Sequence, residues 1–350
     1  MDNILKTEEK AILTLRQLYR RYGYTPYKMS RFEEYDLYVR SKDFLVSDQI
    51  ITFSGDRGKL MALKPDVTLS IVKNAPEEPG VVQKVYYNEN VYRDYREIMQ
   101  AGLECVGDLG SYEIAEVVLL AARSLALLGE SYVLDISHMG LLSAVLDGCG
   151  FDESEKKQAM TCIRRKSLHE LRGLCTDESA WEKLQTLTLC HGKDPETIRP
   201  VLRGEEELAA WEELKNLWTI LEESGCGGHI RLDFSVGNNM RYYSGVVFRG
   251  YLSGIPSSVL SGGQYDKLPK RLGRNARAIG FAIYVDLLQG EECRFDVDTL
   301  ILHDGTVSPR VLTAAAEAAA KAGTVLVARQ KPEDRTWKTL IQYEKGERIC

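Results

Sequence analysis

The chain has no CxxC pair, no long apolar run and no strongly basic stretch, and each absence removes a class of function. No window approaches the roughly 18 consecutive apolar residues that a membrane-spanning helix needs. The opening MDNILKTEEK is acidic and lacks the apolar centre of a secretory signal, so no leader is expected. Eight cysteines (Cys105, Cys149, Cys162, Cys175, Cys190, Cys226, Cys293 and Cys350) are scattered singly, and only five histidines are present. Cys190 and His191 are adjacent rather than at ligand spacing. This usage argues against a zinc site or a disulfide framework, suits reduced cytoplasmic thiols, and leaves no metal or cofactor to expect. Formal net charge is −6. A protein that clamps nucleic acid usually carries a basic footprint. The densest basic cluster here, Ile163 to Lys166, is followed closely by acidic residues and reads as a solvated helix face. A tRNA partner is therefore not expected.

What is present is an ordinary globular composition: 350 residues, 44% hydrophobic and 27% charged, enough for one large domain and a small one. Apolar residues at helical spacing predict an opening helix from about Thr7 to Tyr22, stopped by Gly23. Two short strands around Ser54-Gly55-Asp56 come next, then a short helix within Lys64 to Ala75 that PEEPG (Pro76 to Gly80) breaks. Gln83 to Arg93 and Glu97 to Val106 switch to period two, as strands require. Glu113 to Leu128 is an amphipathic helix ended by Gly129. The stretch from about 141 to 225 is almost wholly helical in pattern and reads as an insertion into a sheet domain. Strand signals return at His229 to Val236, Arg241 to Tyr251, Ser257 to Leu260 and Ala278 to Val285. Gly237-Asn238-Asn239 suggests a hairpin turn between the first two. Glu291 to Asp298 reads as a linker, which sets the expected domains at 1–290 and 297–350. The second contains a strand at Thr299 to His303, a helix capped by Ser308 and begun by Pro309, and a strand at Thr324 to Arg329.

One strand carries chemistry in its alternation. Met99, Ala101, Leu103 and Cys105 fall on one face, all apolar or small, while Gln100, Gly102 and Glu104 fall on the other. An amide and a carboxylate separated by a glycine make a polar floor with space above it; the same pattern also suits a plain half-exposed strand.

Five blocks, in order, resemble the histidyl-tRNA synthetase family over roughly residues 5 to 290. KPDVT (Lys64 to Thr68) is similar to its substrate-amine loop. VYYNENVYR (Val85 to Arg93) with YREIMQAGLECVG (Tyr95 to Gly107) resembles class II motif 2 and the strand after it. NNMRYYSGVVF (Asn238 to Phe248) stands where the family has RGLDYYTG, and SGGQYDKL (Ser261 to Leu268) where it has SGGRYD. AIGFAIYVDLL (Ala278 to Leu288) resembles motif 3. The resemblance implies an α+β fold of class II synthetase type: an antiparallel sheet flanked by helices, with the helical insertion, a small C-terminal α/β remnant, and a homodimer formed through the core.

It also implies a division between what is kept and what is lost. Adenylation concentrates negative charge on a phosphate and needs fixed cations there. Three family arginines are replaced, by Asn238, Leu287 and Gln264, and only Asp94 separates Arg93 from Tyr95 where the family has a longer loop. Losing one such donor costs roughly 10² to 10³ in rate, so no catalytic residue is expected. Arg241, where the family has Asp, is a new cation that does not restore the clamp. The positions that contact histidine match: Asp66 and Thr68 for the α-amino group, Gln100 and Glu104 for the amino group and imidazole, Tyr242 and Tyr243 beside the ring, and Arg93 for the carboxylate. A kept ligand pocket, lost phosphate groups and a shortened C-terminal unit together resemble the regulatory subunits of ATP phosphoribosyltransferase. That resemblance implies a cytoplasmic hetero-oligomer in histidine biosynthesis, in which this subunit activates a short catalytic subunit and mediates feedback by L-histidine. A stand-alone synthetase paralogue and an active histidyl-tRNA synthetase are the alternatives.

Overall fold

The computed structural model describes residues 5–40, 49–76, 78–236, 242–288, 295–345 and 347–349. In chain order, helix α1 (Thr7–Arg21) leads to β1 (Thr25–Pro26), β2 (Phe32–Glu34), α2 (Tyr35–Arg40), β3 (Thr52–Ser54), β4 (Leu60–Leu63) and α3 (Thr68–Lys73). Two long strands follow, β5 (Val82–Arg93) and β6 (Arg96–Gly107), then α4 (Ser111–Leu128) and β7 (Tyr132–His138). Five helices come next: α5 (Met139–Gly148), α6 (Glu153–Arg165), α7 (Leu168–Leu174), α8 (Glu178–Leu189) and α9 (Glu205–Glu223). The larger unit closes with β8 (Ile230–Leu232), β9 (Val246–Leu252), β10 (Leu260–Gln264), α10 (Lys267–Arg271) and β11 (Arg277–Tyr284). β12 (Val297–His303), α11 (Pro309–Ala320), β13 (Val325–Ala328), β14 (Trp337–Glu344) and β15 (Glu347–Arg348) complete the chain. Contacts divide it into two compact units, Glu8–Leu288 and Met1–Thr7 with Gln289–Cys350. Among the described residues no helix is long and apolar enough to cross a membrane.

The larger unit is built on an eight-stranded sheet in the order β1-β5-β6-β11-β10-β9-β7-β8. Its six central strands pair antiparallel, while β1 and β8 add to the edges in parallel. Alternation along β6 and β11 sorts the faces. Ala101, Leu103 and Cys105 pack with Ile279, Phe281 and Ile283 beneath α4, in the larger apolar core. A second core on the other face gathers Tyr87, Val106 and Ala278 against Leu69 and Val72 of α3. Fully burying one such side chain contributes about 1.5 to 3 kcal/mol, so register is fixed wherever both faces are covered. A small sheet, β2-β4-β3, stands apart from this one.

Several expectations change. The strands around Gly237-Asn238-Asn239 do not form a hairpin: β7 lies between β8 and β9, parallel to the first and antiparallel to the second. The turn residues themselves, with Asn238 and Arg241, lie outside the described residues. β10 runs over Leu260–Gln264, not Ser257 to Leu260, because its glycines allow close strand approach. β7 was not anticipated at all.

In the smaller unit β12 is flanked by β13 and β14, both parallel to it, and β15 pairs antiparallel with β14. Ser308 precedes α11 in extended conformation, with Pro309 opening the helix. Ile301, Val307 and Tyr343 form the small core beneath α11, with Leu312, Ala315 and Ile341 against it.

Candidate ligand-binding site

The site begins with the β5–β6 hairpin. Its register runs from Val82↔Gly107 to Arg93↔Arg96, so only Asp94 and Tyr95 make the turn. Both have positive φ, 51° and 61°, as a two-residue type I′ turn requires. Tyr95 is 82% exposed at the tip. This tight turn carries Arg93 at the end of β5 and sets Gln100 and Glu104 on the face of β6 away from α4.

Next to the hairpin, the entry into α3 supplies two side chains, Asp66 ahead of the helix and Thr68 at its first position. Asp66 Oδ1 accepts from the Leu69 backbone N–H at 2.9 Å, which fixes the first turn of the helix. Thr68 Oγ1 donates to Glu104 Oε1 at 2.6 Å. Arg93 Nη2 donates to Asp66 Oδ2 at 3.3 Å and its Nε to the Pro65 carbonyl, so its guanidinium is anchored beside Asp66. The Tyr265 hydroxyl donates to Glu104 Oε2. Tyr242 stands edge-on to Tyr243, ring centroids 4.7 Å apart, and lies 5.6 Å from the Tyr265 ring.

Together these groups line a cavity of about 400 Å³, within the range of small-molecule sites. All seven residues singled out in the sequence, Asp66, Thr68, Arg93, Gln100, Glu104, Tyr242 and Tyr243, line it. Gln100 and Glu104 are not half-exposed: each is 2% exposed. Burial pushes the Glu104 carboxyl up to about 8, against the hydroxyls of Thr68 and Tyr265 that favour its charged form. Burial likewise raises the phenols of Tyr242, Tyr243 and Tyr265, so all three remain donors at neutral pH.

Gly280 faces Glu104 across the β6–β11 ladder. A Cβ there would coincide with the Glu104 carboxyl oxygen, so only glycine leaves that side chain its place. Tyr265, Tyr87, Ser261 and Arg249 also line the cavity and were not singled out beforehand. Tyr265 stood within the SGGQYD block, whereas Arg249 gave no signal beyond being a cation in a strand. Two positions at which the resemblance implies lost arginines do not line the cavity. Gln264 is buried and donates to Asp266 Oδ2 at 2.6 Å, while Leu287 is 39% exposed on the turn after β11.

The model of the family described as "Histidyl-tRNA synthetase" matches residues 3–288. The chain belongs to the histidyl-tRNA synthetase family. Within that family it is 28% identical over 284 residues to a protein of Oceanobacillus iheyensis named ATP phosphoribosyltransferase regulatory subunit, covering 76% of this chain and 69% of that one. Its fold matches the crystal structure of an ATP phosphoribosyltransferase regulatory subunit/histidyl-tRNA synthetase from Bacillus halodurans, with TM-score 0.77 and 23% identity over 97% of this chain and 94% of that one. A chain of the Thermotoga maritima ATP phosphoribosyl transferase (HisG:HisZ) complex matches with TM-score 0.63 and 18% identity, over 79% and 96% of the two. At those identities the structural likeness is one of fold: the synthetase-like α+β sheet flanked by helices, here with parallel strands at its edges and a small C-terminal sheet.

Proposed function

We propose that this member of the histidyl-tRNA synthetase family is a non-catalytic regulatory subunit of ATP phosphoribosyltransferase in histidine biosynthesis, with L-histidine held in the cavity over β6. The observation that carries the reading is the convergence in one cavity of groups suited to an ammonium and an imidazole. Leu287 and Gln264, which do not line it, bring no cation to the positions where the resemblance puts the family's phosphate-binding arginines. The name borne by the Oceanobacillus iheyensis relative supports the same role. In this reading the ammonium faces Asp66 and Thr68, the carboxylate lies towards Arg93, and the ring reaches over Glu104 beneath Tyr242 and Tyr243. The subunit works in the cytoplasm without tRNA, as a homodimer through its core joined to a short catalytic subunit that binds ATP and phosphoribosyl pyrophosphate. Exposed Phe32, Phe53 and Leu60 on the small β2-β4-β3 sheet offer an apolar surface for self-association.

The test is reconstitution. Mixing the purified chain with a short ATP phosphoribosyltransferase catalytic subunit is expected to raise its rate and to make it inhibitable by millimolar L-histidine. Light scattering should give a dimer for the chain alone. No gain in rate on mixing overturns the proposal.

A further inference from the structure

The cavity crosses the sheet with charge at both ends. Gly102, Ala282 and Ser261 lie at one level on β6, β11 and β10, and Arg249 is next in that row on β9. Strands stand about 4.8 Å apart, so the row of small residues leaves a floor about 14 Å long between Gly102 and Arg249. Asp66 and Arg93 hold the near end. Arg249 lines the far end. Unlike Arg93, it meets no carboxylate at ion-pair distance among the described residues, although Asp135 is its cross-strand neighbour on β7. Tyr251 is the phenol beside it.

An amino acid whose ammonium sits at Asp66 keeps its carboxylate at the same end, beside Arg93. Its side chain must then run along the floor towards β9. For an imidazole this puts the ring between two groups of opposite kind: Glu104 beside the near nitrogen and Arg249 beyond the far one. A guanidinium can only donate, so the far nitrogen must present a lone pair. A neutral imidazole has one N–H and one lone pair, so the near nitrogen carries the hydrogen and gives it to Glu104. Resting on the histidine reading above, we propose that Arg249 is a specificity-determining residue. It donates to the ring nitrogen distal to the ligand's side chain, so that the site accepts a neutral imidazole in one tautomer only.

Calorimetric titration of the full chain with L-histidine and its two ring-methylated forms tests this. The unaltered chain is expected to bind L-histidine and to reject both methylated forms. One lacks the hydrogen for Glu104; the other meets Arg249 with a methyl group. Arg249→Ala should weaken L-histidine roughly ten- to hundredfold and bring the distally methylated form to within a few-fold of it, with the proximally methylated form still rejected. Arg249→Lys keeps a donor and should keep the discrimination against the distal methyl group. An Arg249→Ala chain that binds L-histidine undiminished, or that excludes the distal methyl group as before, overturns the assignment. So does an unaltered chain that accepts the distal methyl group. If the unaltered chain binds none of the three, the histidine reading itself falls, and this one with it.

Discussion

Replacing Glu104 with glutamine keeps the shape of the side chain and removes one proton equilibrium, which makes the consequence calculable. The unfolded carboxyl titrates near 4.5, and the native one is pushed up to about 8 by burial. The native chain therefore binds this proton more tightly than the unfolded chain. Stability from this group is fully present below pH 4.5 and is lost progressively as pH rises towards 8. Glutamine has no such term. Between pH 5 and pH 7 the variant should gain about 2 to 3 kcal/mol relative to the parent, since each pKa unit corresponds to about 1.4 kcal/mol. Thr68 and Tyr265 both donate to the carboxylate, and glutamine offers a single oxygen, so one hydrogen bond of about 1 kcal/mol is lost. That loss displaces the curve without tilting it. Parallel thermal melts of the two chains at pH 5, 6 and 7 measure the tilt, which should reach about 5 °C or more over the range. Saturating L-histidine should flatten it, because a ring N–H donated to Glu104 restores an ordinary carboxylate. A gap that stays constant from pH 5 to pH 7 would refute the desolvation of Glu104 and the argument built on it.

Other expectations are as direct. If Leu287 and Gln264 replace phosphate-binding arginines, as proposed, the chain should give no histidine-dependent exchange of pyrophosphate into ATP, and exchange above background would restore the synthetase reading. Lys183 and Glu207 form a buried ion pair at 2.5 Å, their side chains 10% and 3% exposed. Lys183→Met leaves the carboxylate without its cation and should cost about 3 to 5 kcal/mol by urea unfolding; a loss under 1 kcal/mol would show that the capping N–H groups of Arg203 and Gly204 suffice. Tyr95→Gly relieves a side chain held at positive φ and should stabilise the chain by about 1 kcal/mol, with no change meaning that the exposed ring makes an unnoticed contact.

How much of this was legible in the sequence depended on whether one force dominated locally. The β5–β6 hairpin was readable because its alternation continues for twelve residues on each strand. α1 and α4 were readable because their apolar stripes end at glycines. β7 was not: Tyr132, Leu134 and Ile136 share one apolar face, but the strand is short and its other face buries the polar Asp135 and Ser137. The supposed hairpin of β8 and β9 failed because turn composition says that the chain can reverse, not which strand it pairs with next. β14 and β15 escaped because the smaller unit is thinly buried and its alternation is weak. In the cavity, Gln100 and Glu104 could be seen from alternation alone. Asp66, Thr68, Tyr242 and Tyr243 needed the family resemblance, since their convergence is a property of the fold. Arg249 needed the sheet order: only the register places it in the row that begins at Gly102.

The glycine at 280 is required twice over. A Cβ there would meet the Glu104 carboxyl and also the Leu103 carbonyl oxygen, the latter at 2.6 Å. A lineage that gives up Glu104 removes only the first of these obstacles, so the neighbouring strand still holds the position to glycine. The way back to glutamate then stays open to a single substitution. Relatives should accordingly keep glycine opposite whatever stands at 104, and a saturation library at 280 should return glycine whether residue 104 is glutamate or alanine.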